Sequence, residues 1–450
     1  MQSWWSSVER HPGPKYVAIA DAIDDAVRSG MLRGGERLPP QRDLAASLGV
    51  DLTTVTRAYG IARDAGLIQG AGRLGSYVRN SADLPQQDML ADAGMILPPQ
   101  PAFALLPDAL RTGMTRLLRA GGQSPLLQYQ PTGGSVRDRR EAADAMNARG
   151  MDAAEDEIVI TAGAQNALHA ILGTLFGPGD VICAGRSTYP GMIALATRFG
   201  LRLNGLDADS DGIDVTSIER AAKAGAKALY IVPTNDNPTT ATLTIERRHA
   251  IAAIARRHGL MIIEDDAYGR LPLAPLPSFA GIAPELTWHI ASVSKILSPA
   301  LRVAHVRAPS RQAAVRLAGD VHETAVMAPP LNAALITLWL RDGSFATLVE
   351  AVRAEGIARQ RIVARHLKGL DYAAHPEGYH LWLRLADGIG AAELAAIVRP
   401  AGLSIVPGEA FAIDKARPEA AVRILIGGAI DHDRLARALE RLEGVIRPAG

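Results

Sequence analysis

The chain is poor in cysteine, lysine, net charge and long apolar runs, and each shortage excludes something. Cys183 is the only cysteine in 450 residues, so neither an intrachain disulfide nor a cysteine-rich zinc site can form. Set in the apolar run Val181 to Ala184, it reads as a buried strand thiol. Formal charge is +1, from 48 Lys plus Arg against 47 Asp plus Glu. This excludes a polybasic nucleic-acid coat and a long acidic tail, though not a small DNA-binding module beside a larger neutral domain. The start, Met1 to Arg10, lacks an apolar run of signal-peptide length. The longest uncharged stretch, Ile158 to Gly179, contains Gln165, Asn166, His169 and several glycines, so a strand and then a helix are expected rather than a membrane span. A soluble, cytoplasmic protein with no metal and no membrane partner is expected. Six of the 48 basic residues are lysine (Lys15, Lys223, Lys227, Lys295, Lys368, Lys415) and the rest arginine, so a lysine in an apolar setting asks for a reason.

The length allows two or three domains. Residues 1–79 carry 10 Lys plus Arg against 8 Asp plus Glu and form a first domain. Residues 80–100, polar and then proline-rich through Pro85, Pro98 and Pro99, read as a linker. From 101 to 450, helical patterns alternate with short β-branched runs such as Glu157 to Thr161, Asp180 to Cys183, Ala228 to Val232 and Leu260 to Glu264. That alternation predicts an α/β domain around a mostly parallel sheet.

In the first domain, apolar residues at 16, 19, 20, 23 and 27 predict a helix over Tyr16–Ser29. Leu38-Pro39-Pro40 leads into a second helix, Gln41–Ser47, which Gly49 ends. A third, Thr53–Ala65, buries Val55, Ala58, Tyr59 and Ala62. Two short strands, Leu67–Gln69 and Ser76–Arg79, flank a glycine-rich tip. This is a winged helix-turn-helix pattern. Thr53, Thr54, Thr56 and Arg57 open the third helix and suit base edges and phosphates, while Arg42 and Arg73 suit the DNA backbone or minor groove. An unrelated three-helix packing module has similar periodicity. The ordered segments Leu38 to Ala45, Thr53 to Tyr59 and Gly72 to Val78 resemble the winged-helix domain of GntR-family transcription regulators, from Gly13 to Val78. Leu52, where the family often has a base-reading arginine, and Ser76, where threonine is common, depart from that pattern.

Four segments of the large domain carry chemistry. Ser292-Val-Ser-Lys295, with Arg302 seven residues on, follows an apolar run. A lysine near buried groups loses charge and becomes a usable amine nucleophile, which arginine cannot do; a surface lysine is the plainer alternative. Glu264-Asp-Asp-Ala-Tyr268 stands at the carboxyl end of a strand, where open α/β sheets bind ligands, though three acids in a row more often mark a solvated loop or a helix cap. Asn237 lies in an Asn-Pro turn after the strand at Tyr230. Thr161-Ala-Gly-Ala-Gln165 is a strand-to-helix junction suited to a phosphate.

In this order the four segments resemble fold-type I aminotransferases of class I/II, from about Gln128 to Ile424. The resemblance implies a large domain built on a mostly parallel sheet and a smaller α+β subdomain over about 310–450. It implies pyridoxal 5′-phosphate as a Schiff base on Lys295, Asp265 on the pyridine nitrogen, Tyr268 and Asn237 on the ring hydroxyl, and Tyr189 stacked on the ring. Gly163, Ala164, Gln165, Ser292, Ser294 and Arg302 would surround the phosphate, with Tyr129 reaching that of the neighbouring subunit. Arg423 would clamp a substrate or effector α-carboxylate. Thr240 ends the usual Asn-Pro-Thr-Gly, and Arg186-Ser187 replaces acidic residues before the stacking tyrosine. A GntR-type head joined to such a domain is the layout of the MocR regulators. That layout implies a double-stranded DNA operator, a small amino-compound effector and a head-to-tail homodimer with exchanged heads. The alternative is an active transaminase carrying an accessory winged helix.

Overall fold

A computed structural model describes residues 3–11, 13–64, 67–70, 75–78, 94–101, 105–119, 125–386 and 389–446. The chain divides into two compact units, Met1–Met89 and Leu90–Gly450. Among the described residues no helix is long and apolar enough to cross a membrane.

In the first unit, helices Lys15–Arg28, Gln41–Leu48 and Leu52–Asp64 follow a 3-10 turn at Trp4–Arg10. Strands β1 (Ile68–Gly70) and β2 (Ser76–Val78) pair antiparallel, Ile68 opposite Val78. Each helix buries the predicted apolar stripe, so that Ile19, Ile23, Leu44, Val55, Ala58, Tyr59 and Ala62 form one core with Trp4 and Val8. Gly49 makes the tight turn between the second and third helices at φ 63°, a left-handed conformation open to glycine at little cost. The Tyr59 hydroxyl donates to the Pro39 carbonyl at 2.8 Å and ties those two helices together.

The large unit holds a seven-stranded sheet made of β3 (Ile158–Thr161), β4 (Val181–Gly185), β5 (Arg202–Leu206), β8 (Ala228–Ile231), β9 (Met261–Asp265), β10 (Thr287–Ser292) and β11 (Ala304–Arg307). A small hairpin, β6 (Ala208–Asp209) with β7 (Gly212–Ile213), lies outside it. The sheet order is β3-β11-β10-β9-β8-β4-β5, and β11 alone runs against its neighbours. Strands β3, β8, β10 and β11 are buried along their whole length, as expected where helices cover both faces of a mostly parallel sheet, while the edge strand β5 exposes Arg202 and Asn204. Cys183 is fully buried on β4, and burial pushes its thiol up to about 11. A second, antiparallel sheet follows, β12 (Tyr372–Ala374), β13 (His380–Arg384), β14 (Ser404–Pro407) and β15 (Ala421–Leu425), in the order β12-β13-β15-β14. The 23-residue helix Ser344–His366 braces it: the buried Arg359 donates to the Ile426 carbonyl at 2.7 Å and to Glu355.

One boundary differs from the sequence reading. Residues 94–100, assigned to the linker, fold into the large unit. Ile96 is 2% exposed within its core. Gly428 N donates to Pro98 O, and Gln100 N donates to Gly428 O, each at 3.2 Å. Gly427 lets the Leu97 carbonyl approach where any Cβ would collide. Its short apolar run Met95-Ile-Leu97 has no periodicity to mark it as structured, and much of its attachment runs through backbone groups.

Candidate functional site

On the first unit, Arg42 and Thr53 are exposed, Thr54 is half-buried, and Thr56 and Arg57 are exposed on the same helix start. Thr56 is not idle: its hydroxyl lies 2.8 Å from Gln41 Oε1 and 2.9 Å from the Leu52 carbonyl. The Arg57 guanidinium lies over the Tyr16 ring at 3.8 Å, a cation–π contact that orients it. Arg73, at the wing tip, lies outside the described residues.

In the large unit the predicted groups converge at the carboxyl ends of β3, β4, β8, β9 and β10. Beyond β3, the chain turns at Gly163 with φ 85° into the helix Ala164–Leu175. A Cβ at 163 would stand 2.9 Å from the Arg302 guanidinium, whose Nη2 donates to the Ala162 carbonyl at 3.0 Å. Only glycine allows this approach. Gln165 donates to the Gly191 carbonyl at 3.3 Å, beside the half-buried Tyr189. Beyond β10, the Ser294 amide donates to the Ser292 hydroxyl at 3.2 Å. The Ser294 hydroxyl is buried with no hydrogen-bond partner among the described residues.

Asp265, last on β9, is 6% exposed. Its Oδ2 accepts from the Tyr230 hydroxyl at 2.9 Å, while Oδ1 is buried with no partner among the described residues. Burial pushes the carboxyl up to about 6, against the pull of the Tyr230 bond. The flanking acids are equally buried, so the run is not a solvated loop. Glu264 accepts from the amides of Phe279 (2.8 Å) and Ala280 (3.1 Å), and from His289 Nδ1 at 2.7 Å. Asp266 takes an ion pair from Arg149 at 2.6 Å. Burial pushes Asp266 upward, yet Arg149 and His289 hold it down at about 2. Asp265 thus rests on a strand end fixed by paired charges on either side.

Lys295 is half-buried, and its Nζ donates to the Ile96 carbonyl at 2.7 Å. Burial, with the Arg423 charge close by, pulls its amine down to about 8. Arg423, central on β15, is 3% exposed. It donates to Asn237 Oδ1 at 2.9 Å and to the Gly94 carbonyl, and burial pulls it down to about 10. Since Asn237 accepts with its oxygen, its amide nitrogen remains a donor. The buried Arg248 fixes the loop carrying Asn237 by donating to the carbonyls of Pro233, Leu243 and Pro277. Tyr268 is buried between the rings of Tyr379 and His380, at 6.2 and 5.6 Å. Tyr129 stands apart at 83% exposed.

Tyr230, Arg149, His289 and the carbonyls of Gly94 and Ile96 were not picked out from sequence. Tyr230 lies in the predicted strand Ala228–Val232, two residues before its end, and its parity on the sheet is the one signal the sequence carries for it. The others carried none. No group of His, Cys, Asp and Glu suited to a metal ion occurs among the described residues. What the geometry offers is an amine that loses its proton more readily than an ordinary lysine, a buried carboxylate with one unpartnered oxygen among the described residues, a glycine-lined helix start beside an arginine, and a buried guanidinium.

Comparisons with known proteins bear on both units. The family described as "Aminotransferase class I and II" matches residues 100–442, and "Bacterial regulatory proteins, gntR family" matches residues 15–78. The HTH-type transcriptional regulator YdeF of Bacillus subtilis (strain 168) is 30% identical over 432 residues, covering 94% of this chain and 92% of YdeF. The vitamin B6 salvage pathway transcriptional repressor PtsJ of Salmonella typhimurium is 29% identical over 401 residues, with 88% of this chain and 90% of PtsJ covered. Among solved structures, LysN, the alpha-aminoadipate aminotransferase of Thermus thermophilus complexed with N-(5'-phosphopyridoxyl)-L-leucine, superposes with a TM-score of 0.71 and 26% identity. The match covers 81% of this chain and 95% of LysN.

Proposed function

This chain belongs to the MocR-type transcription regulators, GntR helix-turn-helix proteins that carry a class I/II aminotransferase domain, and from that membership we propose how its site is used. The large unit holds pyridoxal 5′-phosphate on Lys295 and senses an amino compound, or the vitamer itself, by exchange at that amine. Asp265 pairs with the pyridine nitrogen, Tyr268 and Asn237 meet the ring hydroxyl, and Tyr189 stacks on the ring. Gly163, Ala164, Gln165, Ser292, Ser294 and Arg302 take the phosphate. The bound cofactor supplies a carbonyl that captures amines and a ring that draws off electrons.

The residues fit that group. Asp265 Oδ1 and Ser294 Oγ are buried polar atoms with no partner among the described residues, where such atoms cost stability unless something meets them. Gly163 leaves open the space a Cβ would fill against Arg302. The observation that carries the reading is Lys295 itself, one of six lysines, with its amine pulled down to about 8. Arg423 receives an effector carboxylate, Tyr129 reaches the phosphate of a partner subunit, and the protein works as a cytoplasmic homodimer with exchanged heads. Arg42, Thr53, Thr54, Thr56, Arg57 and Arg73 meet operator DNA. The domain limits are those read from the sequence, with 94–100 moved to the large unit.

The test is direct. Purified protein given pyridoxal 5′-phosphate turns yellow with the Schiff-base absorbance, borohydride fixes the cofactor on the peptide containing Lys295, and Lys295→Ala abolishes both. DNA upstream of its own gene binds in a salt-sensitive manner that the cofactor alters. A colourless protein with no tagged Lys295 peptide refutes the sensor. A second reading, a working transaminase, draws on the completeness of the set Lys295, Asp265, Tyr268, Asn237 and Arg423. Turnover of amino acids with a keto-acid acceptor at ordinary enzyme rates decides for it.

A further inference from the structure

The segment Gly94–Gln100 ends in the site. The Gly94 carbonyl accepts from Arg423, and the Ile96 carbonyl accepts from Lys295 Nζ at 2.7 Å. Two cations are thus met by alternate carbonyls of one short stretch of chain. Behind them, Ile96 is buried, the Leu97 carbonyl seats against Gly427, and the Gly428 backbone is paired with Pro98 and Gln100. A carbonyl carries only a partial negative charge, so a full carboxylate or phosphate makes stronger, charge-assisted bonds to the same donors.

Resting on the site assignment above, we propose that Gly94–Gln100 is an internal ligand. In the cofactor-free chain its carbonyls occupy Arg423 and Lys295; the cofactor takes the amine, an incoming carboxylate takes the guanidinium, and the two together free the segment. The occupant is therefore chosen from compounds whose anionic group can outcompete a peptide carbonyl for a buried guanidinium, with α-amino carboxylates as the matching class. Seven residues set free lengthen the connection leading from the first unit by up to about 23 Å. That gain in reach is how occupancy of the site becomes a change in the freedom of the DNA-binding unit.

The test compares a locked and a loosened segment in the full chain. A Cβ at position 94 would lie 3.2 Å from Val406 Cγ2, so the double variant Gly94→Cys, Val406→Cys can close a bond between the segment and β14; because a side chain at φ 59° is strained, its reduced form, which carries the same strain, is the reference. The native Cys183 is buried and does not interfere. Ile96→Ala removes the anchor instead. Trinitrobenzenesulfonate, which arylates free amines, is the probe, and the rate of labelling of the Lys295 peptide is read by mass spectrometry. Labelling should be at least about tenfold slower in the oxidised double variant than after its reduction, and faster in Ile96→Ala than in the unchanged protein. Equal rates in the locked and reduced forms, or no acceleration in Ile96→Ala, overturn the proposal. Because this probe needs no cofactor, failure to bind pyridoxal 5′-phosphate would count against the site reading alone.

Discussion

The amine of Lys295 should titrate far below an ordinary lysine, and two neighbours should move it in opposite directions. Burial and Arg423 pull it down to about 8, while Asp265 pulls it back up. At pH 7 an amine of this kind is neutral in roughly one molecule in ten, against roughly one in three thousand for an unperturbed lysine. The reactive form is thus enriched by about 300-fold. The measurement is the second-order rate of pyridoxal 5′-phosphate uptake from about pH 6 to pH 10, followed by absorbance. It should rise with pH and level off above about 8. Arg423→Gln removes a cation and should raise the midpoint; Asp265→Asn removes an anion and should lower it. A midpoint near that of an ordinary lysine in the unchanged protein, or shifts of the same sign in both variants, would refute the electrostatic account.

The charge network under β9 should be needed in pairs. Arg149→Met leaves Asp266 buried without its cation, a loss of about 3–5 kcal/mol, and Asp266→Asn added to it should recover much of that in urea unfolding. Equal midpoints for the single and double variants would contradict this. Asp265 has a folded value near 6, above its unfolded value, so the native state holds the extra proton and stability falls as pH rises from about 4 to 6. Tyr230→Phe removes the bond that opposes this shift and should carry the fall to higher pH in thermal unfolding scans. Arg42→Ala should weaken DNA binding across sequences and lower the salt slope by about one, leaving the Lys295 chromophore intact; loss of both together would mean the modules are misassigned.

Much of this architecture is legible in the sequence. The helix predicted over Thr53–Ala65 lies at Leu52–Asp64, and the strand predicted over Ala228–Val232 ends one residue early, because a sustained apolar period reports directly on which face is buried. Lys295 stands out in the sequence as a scarce lysine after an apolar run and Asp265 as an acid at a strand carboxyl end, while Asn237 lies in an Asn-Pro turn whose role only the family resemblance suggests. What stayed hidden was made by distance along the chain. Arg149 and Asp266 are 117 residues apart, and neither announces the other. Gly94 and Ile96 act through their carbonyls, which every residue has, so no composition or spacing could single them out.

Lys295 and Arg423 belong to different sheets, one following β10 and the other within β15. No single stretch of backbone sets the gap between them. It is a packing dimension, governed by how the helix Ser344–His366 and Arg359 seat the smaller sheet. If the proposed site holds, repacking that helix would resize the compound that fits between the Lys295 position and Arg423, so selectivity would be retuned from a core that never touches a ligand.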